Sequence, residues 1–215
     1  MKIEAVCFDM DGTLIRNTDS VRYLCTLNDQ VEALTEIEKR EADGSLSWVD
    51  ADYHKALLIE GLNVAEVDDK FDHTVELIQN IEPVIGYLKR RGIRSLVVTA
   101  GPIQVARVLG TRFGFDDVYG SRYEVEDGRF TGRIERHLGH AGKLSCLEEF
   151  CLKHGIAIAH CVAVGDSESD IELFENCVRS IAINYSDAVK GRASEHVITE
   201  DLSDIIEIIE SWLAE

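Results

Sequence analysis

Proline is nearly missing from this chain, with two in 215 residues. Both Pro83 and Pro102 stand at the head of helical patterns, where a missing N–H costs little. Basic residues are scarce too: 22 Lys and Arg face 40 Asp and Glu, a formal net charge of −18. That balance argues against nucleic acid as a partner, because a phosphate backbone demands clustered Lys and Arg. No apolar run approaches the roughly 18 residues of a membrane span. The N-terminus lacks the basic-then-apolar layout of a signal peptide. The expected setting is therefore cytoplasmic, away from membranes. Cys7, Cys25, Cys146, Cys151, Cys161 and Cys177 show no paired metal-ligand spacing. Most lie in apolar runs, and a reducing cytosol predicts free thiols. Internal repeats and low-complexity segments are also missing. The oligomeric state is not legible.

What is present is ordinary globular material, 45% hydrophobic and 29% charged, punctuated by short apolar runs that end in chemistry. Val6-Cys7-Phe8 runs into Asp9-Met10-Asp11-Gly12-Thr13. Strand residues two apart share a face, so Asp9 and Asp11 should project together from a strand's carboxyl end, where open α/β sheets build their sites. Two such charges 4 Å apart repel by roughly 4 kcal/mol at an effective dielectric of about 20. A cation, a proton or a chemical task must compensate; read alone, Asp9 to Gly12 is also an acceptable turn. Cys161 to Asp170 repeats the grammar, an apolar run, then Gly165, then Asp166 and Asp170. Between them, Ser95 to Val98 end in Thr99, and Lys143 opens an amphipathic stretch. By themselves Thr99 could simply end a strand and Lys143 could be a solvated lysine.

Strand-like runs at Ile3–Phe8, Arg94–Thr99, Cys161–Val164 and Ser180–Ile183 alternate with helical patterns opened by Pro83, Pro102 and Lys143, and with a terminal stretch around Ile205, Ile209 and Trp212. Such alternation predicts an α/β fold with a doubly wound, parallel, Rossmann-like sheet. Polar–apolar alternation around Asp127-Gly128 predicts a hairpin. Residues 15–80 carry helical patterns and no convincing strand, and no direct crossover needs such length. They are expected to form a small helical cap domain inserted into a core of residues 1–14 and 81–215. The cap holds fifteen acids and six bases, which would repel large polyanions and admit a small, metal-screened phosphorylated metabolite.

Acidic pair, hydroxyl, lysine, acidic pair: in this order Asp9/Asp11, Thr99, Lys143 and Asp166/Asp170 resemble the four motifs of the haloacid dehalogenase superfamily. The resemblance implies a phosphatase working through an aspartyl-phosphate. The spacing leaves open which Asp attacks; the resemblance assigns the nucleophile to Asp9 and the acid/base to Asp11, whose backbone carbonyl also binds metal. A phosphate dianion among these carboxylates requires a hard cation, and Mg²⁺ suits oxygen ligands. Asp9, Asp11, Asp166 and Asp170 are the candidate metal residues, with Asp170 a ligand or a support. Thr99, Ala100 and Lys143 are candidates for holding phosphate oxygens. His137 and His140, three apart before Lys143, lack a third ligand nearby.

Within the superfamily the chain resembles phosphoserine phosphatase and its relatives, through the insertion after the first motif, the Asp127-Gly128 hairpin and Gly142-Lys143 without a nearby proline. Thr99-Ala100-Gly101 and Lys143-Leu144 do not match the phosphoglycolate phosphatase and β-phosphoglucomutase branch, which disfavours a phosphomutase. Retention of all four motifs disfavours a non-catalytic phospholigand-binding protein. The cap departs from the family. Thr18 stands where a Glu is expected for the substrate's amine, with Asp19 one residue later. No Arg occupies Leu46 to Tyr53, where a carboxylate clamp is expected. Thr18 and Tyr53 then point to a neutral polar or hydroxylated leaving group. If the lid helix is rotated by a residue, Asp19 and Arg22 become the recognition residues of a phosphoserine phosphatase proper.

Overall fold

The computed structural model describes residues 1–139 and 142–215; His140 lies outside them. Seven strands, β1 (Ala5–Phe8), β2 (Arg94–Pro102), β3 (Asp117–Glu126), β4 (Arg129–Arg136), β5 (Cys161–Gly165), β6 (Arg179–Ile183) and β7 (Glu195–Val197), form one sheet in the order β4-β3-β2-β1-β5-β6-β7. Neighbours run parallel except in the β3–β4 hairpin. β1 is flanked by β2 on one side and β5 on the other, with Phe8 level with both Val97 and Val164. The strand order reverses at β1, so the crevice beyond its carboxyl end is the place for a ligand.

The period of two along the strands sorts their side chains into two cores. Val6, Phe8, Val97 and Val164 face one layer. It contains α6 (Ile81–Arg90), α7 (Ile103–Phe113) and α10 (Asp204–Leu213), through residues such as Val84, Leu109 and Ile209. Cys7, Leu96, Val98 and Ala163 face the other. That layer is built from α8 (Gly142–His154) and α9 (Ile171–Asn176), through residues such as Phe150 and Leu173. Strands buried on both faces become apolar runs, as β1 and β5 are. The fold is the doubly wound α/β architecture that the alternation predicts.

Between β1 and α6 lie only helices: α1 (Ser20–Leu27), α2 (Val31–Ala42), α3 (Trp48–Leu57), α4 (Ala65–Asp69) and α5 (Phe71–Thr74). Their apolar residues Tyr23, Leu34, Ala56 and Phe71 join the first core rather than forming one of their own. The two chains that enter and leave this helical segment bond to each other: Ile78 N–H donates to the Leu14 carbonyl at 3.0 Å, and Arg16 N–H to that of Glu76 at 2.9 Å. The segment also rests on the hairpin, with Gly61 N–H donating to the Phe130 carbonyl at 2.8 Å and Val64 N–H to that of Gly128 at 2.9 Å. Asp127 and Gly128 both take positive φ, 49° and 76°, the turn geometry that lets twisted strands meet.

Two strand assignments go beyond the sequence reading. The first half of β3 pairs parallel to β2 before the chain turns into the hairpin, and β7 adds a three-residue edge. β1 is shorter than the apolar run, starting at Ala5 rather than Ile3. All six cysteines are free. Among the described residues no helix is long and apolar enough to cross a membrane.

Candidate active site

The carboxyl ends of β1, β2 and β5 bring the motif residues to one place. Lys143, in the first turn of α8, is buried, and its Nζ donates to Asp9 Oδ1 and Asp170 Oδ1, both at 2.7 Å. An ammonium near a helix start opposes the helix dipole; here two buried carboxylates hold it. Burial alone would lower its pKa, but Asp170 and Asp9 outweigh burial and keep it charged. Asp170 is committed on both oxygens, since Oδ2 accepts the N–H groups of Asp166 (3.1 Å) and Ser167 (3.2 Å). It therefore fixes Lys143 and the loop that presents Asp166. Asp9, Asp166 and Asp170 each offer a carboxylate oxygen, all within 4.8 Å of one another.

One lysine among these acids leaves the cluster short of positive charge. Burial, then the repulsion of Asp170, pushes the Asp9 carboxyl up against the pull of Lys143. Burial, then Asp9 and Asp170, pushes Asp166 up as well. Gly12 is needed here: its φ is +82°, and a Cβ would sit 2.3 Å from Asp166 Oδ2. The Thr13 hydroxyl reaches Asp166 Oδ1 at 3.4 Å.

Asp11 is held from the other side. The N–H and hydroxyl of Ser20, at the start of α1, donate to its two oxygens at 2.8 and 2.6 Å. Burial nonetheless raises its pKa to about 7, the two Ser20 bonds opposing and nearby Asp19 and Asp9 adding. Gly101 makes room for this arrangement, because a Cβ there would lie 2.3 Å from Ser20 Oγ and 2.9 Å from Asp11 Oδ2. Thr99 is buried, and its hydroxyl oxygen accepts Gly101 N–H at 2.9 Å, leaving its proton to donate. The Ala100 carbonyl accepts from Ser121 Oγ at 2.6 Å, which itself accepts Leu138 N–H at 3.1 Å, tying β2 to the loop before Lys143.

A cavity of about 190 Å³ opens from Asp11, Ala100 and Gly101 toward the helices, where Asp19, Val21, Leu34, Glu38, Trp48, Asp52 and Lys55 line it. Of the cap candidates, only Asp19 lies on this wall. Its Oδ1 also caps α1 by accepting Arg22 N–H at 2.8 Å. Thr18 is not on the wall, and its hydroxyl donates to the Asp19 carbonyl at 3.3 Å. Arg22 is not on the wall, and its guanidinium pairs with Glu38, which is. Tyr53 is 45% exposed and stacks on His137 with centroids 5.9 Å apart. Among the described residues, His137 meets no metal-ligating partner but Asp52, at 2.8 Å. The residues missed from sequence are Ser20, Gly101, Glu38, Trp48, Asp52 and Lys55. Trp48, Asp52 and Lys55 stand at i, i+4 and i+7 on α3, a helical face that Tyr53 does not share.

Strand order, crevice and buried acid–lysine cluster place the site at the carboxyl edge of a doubly wound α/β sheet. The model of the haloacid dehalogenase-like hydrolase family matches residues 6–175, and the chain belongs to that family. A phosphoserine phosphatase of Archaeoglobus fulgidus is 30% identical over 207 residues, covering 95% of this chain but 59% of that protein. One from Methanocaldococcus jannaschii is 27% identical over 211 residues, covering 97% of this chain and 98% of that one. A solved phospho-aspartyl intermediate analogue of phosphoserine phosphatase superposes with a TM-score of 0.82 at 26% identity, covering 97% of this chain and 99% of that one.

Proposed function

We propose that this protein is a cytoplasmic phosphoric monoester hydrolase that acts on a small phosphorylated metabolite through an aspartyl-phosphate. Residues 1–14 and 81–215 serve as its catalytic core and residues 15–80 as its cap. The observation that carries this reading is the buried bridge from Lys143 to Asp9 and Asp170, beside a second aspartate, Asp11, whose pKa of about 7 lets it hold or release a proton at neutrality. An Asp9 oxygen attacks phosphorus as the ester P–O bond breaks. Asp11 gives its proton to the leaving alkoxide, then takes one from the water that cleaves the aspartyl-phosphate and releases phosphate. Transfers of this kind contribute about 10²–10⁴-fold. Lys143 and the Thr99 hydroxyl supply positive charge and a donor to the phosphoryl oxygens.

The donor set at the cluster is all oxygen and short of positive charge, which fits a hard divalent cation such as Mg²⁺. Asp9, Asp166, the Asp11 carbonyl and, if it gives up a present partner, Asp170 would hold it. Bound there, the ion neutralises charge and orients the phosphate. Named phosphoserine phosphatases among the relatives support the reaction class.

The test is hydrolysis of p-nitrophenyl phosphate and of alkyl phosphates, with Mg²⁺ and with chelator. Activity should require the cation, and Asp9→Asn should fall to background. Asp11→Asn should lose far more on alkyl esters than on the nitrophenyl ester, whose leaving group needs little protonation. Full activity in excess chelator, or retained turnover in Asp9→Asn, would overturn the reading.

A further inference from the structure

The cavity wall opposite the catalytic pair also speaks to the leaving group. Among the described residues, the cations near it are already committed. The Arg22 guanidinium pairs with Glu38, and Lys55, 12% exposed, lies between Glu41 at 2.8 Å and Asp52 at 3.5 Å. Both ring nitrogens of His137 are engaged: Gly139 N–H donates to Nδ1 at 2.9 Å, and Nε2 lies 2.8 Å from Asp52 Oδ2. The Asp19 carboxylate has no cationic partner among the described residues; it accepts the backbone N–H of Arg22. A carboxylate entering here meets three acids on the wall, Asp19, Glu38 and Asp52, and, among the described residues, no unpaired cation. An ammonium meets the Asp19 carboxylate, which lines the cavity. The space, about 190 Å³, is below the roughly 300–1,000 Å³ of drug-sized ligand pockets and suits a leaving group of a few heavy atoms.

We propose that the substrate is the phosphate monoester of a small amino alcohol without a carboxylate, and that Asp19 receives its ammonium. This rests on the phosphatase reading and adds that the pair with Glu38 occupies the Arg22 guanidinium, which could otherwise clamp a carboxylate. A charge-assisted hydrogen bond to Asp19 corresponds to about a ten- to hundredfold preference.

The experiment compares kcat/KM for O-phosphoethanolamine, L-O-phosphoserine, glycerol 3-phosphate and p-nitrophenyl phosphate in Mg²⁺. O-Phosphoethanolamine should exceed phosphoserine and glycerol 3-phosphate by about tenfold or more. Asp19→Asn keeps an N-cap side chain and should bring the phosphoethanolamine-to-glycerol phosphate ratio toward one. Glu38→Gln frees Arg22 and should raise phosphoserine relative to phosphoethanolamine, an independent check should the first variant misfold. A wild-type preference for phosphoserine or for the polyol ester would overturn the proposal, as would equal rates on all alkyl esters while p-nitrophenyl phosphate is cleaved. Hydrolysis of none of the four would overturn the phosphatase reading, and this proposal with it.

Discussion

Replacing Lys143 by methionine tests whether the lysine bridge holds the site together. The side chain keeps its length and apolar stem but loses the ammonium that now sits 2.7 Å from both Asp9 and Asp170. Both carboxylates are buried, so the variant leaves two acids facing each other without a counter-charge. Breaking a buried ion pair by removing one partner costs about 3–5 kcal/mol, a large part of the roughly 5–15 kcal/mol that stabilises a typical domain. At this chain length each kcal/mol moves Tm by roughly 2–4 °C, so melting should fall by about 6–20 °C. Scanning calorimetry in chelator reads this without a contribution from bound cation. Lys143→Met combined with Asp170→Asn removes one of the stranded charges. Its loss should be smaller than the sum of the two single losses by about 1–3 kcal/mol. A Lys143→Met protein that melts within a degree of wild type would refute the bridge, and additive losses would refute the coupling.

Three further outcomes follow from the same geometry. In chelator, Tm should decline between pH 4 and pH 7, because Asp11 titrates at about 7 when folded against an ordinary 3.8, so the folded form holds the extra proton and loses stability as pH rises; Asp11→Asn should make that slope shallower, leaving the part that the raised Asp9 and Asp166 supply. Gly101→Ala should push Ser20 off Asp11 and lower kcat on alkyl esters about tenfold or more, the value of a lost charge-assisted bond, while circular dichroism shows the fold kept. Gly12→Ala combines a strained positive φ with a clash at Asp166 and should destabilise by about 1–3 kcal/mol, read as a lower denaturant midpoint.

The core was legible because its signals are local. β1 and β5 are buried on both faces, so each had to be an apolar run, and the carboxylates that end them mark where burial stops. β7 was not legible, since Glu195-His196-Val197 pairs on one side only and carries no apolar signature. The first half of β3 hid behind the hairpin signal that follows it. In the site, residues that belong to the four motifs were readable, whereas of those delivered by the helical segment only Asp19 was. Ser20 reaches Asp11 only because the chain folds back at Asp19, a tertiary event with no sequence period. Thr18 and Tyr53 follow from the family resemblance; the wall instead receives Asp19, the N-cap of α1, and Trp48, Asp52 and Lys55 from one face of α3.

The paired connectors at Leu14 to Arg16 and Glu76 to Ile78 have an evolutionary consequence. Where two chains leave a scaffold side by side and bond to each other, the scaffold meets whatever lies between them as it would meet a hairpin turn. The entropy of closing that loop is settled at its neck, and doubling the length beyond the neck costs only about 0.6 kcal/mol. Residues 17–75 can therefore be lengthened, shortened or exchanged with little effect on strands β1, β2 and β5. The replacement must still cover the apolar face beneath Tyr23 and Phe71 and match the hairpin edge at Gly128 and Phe130. A scaffold of this kind can acquire a new substrate by replacing a single contiguous stretch of gene, with the attacking aspartate and its lysine untouched.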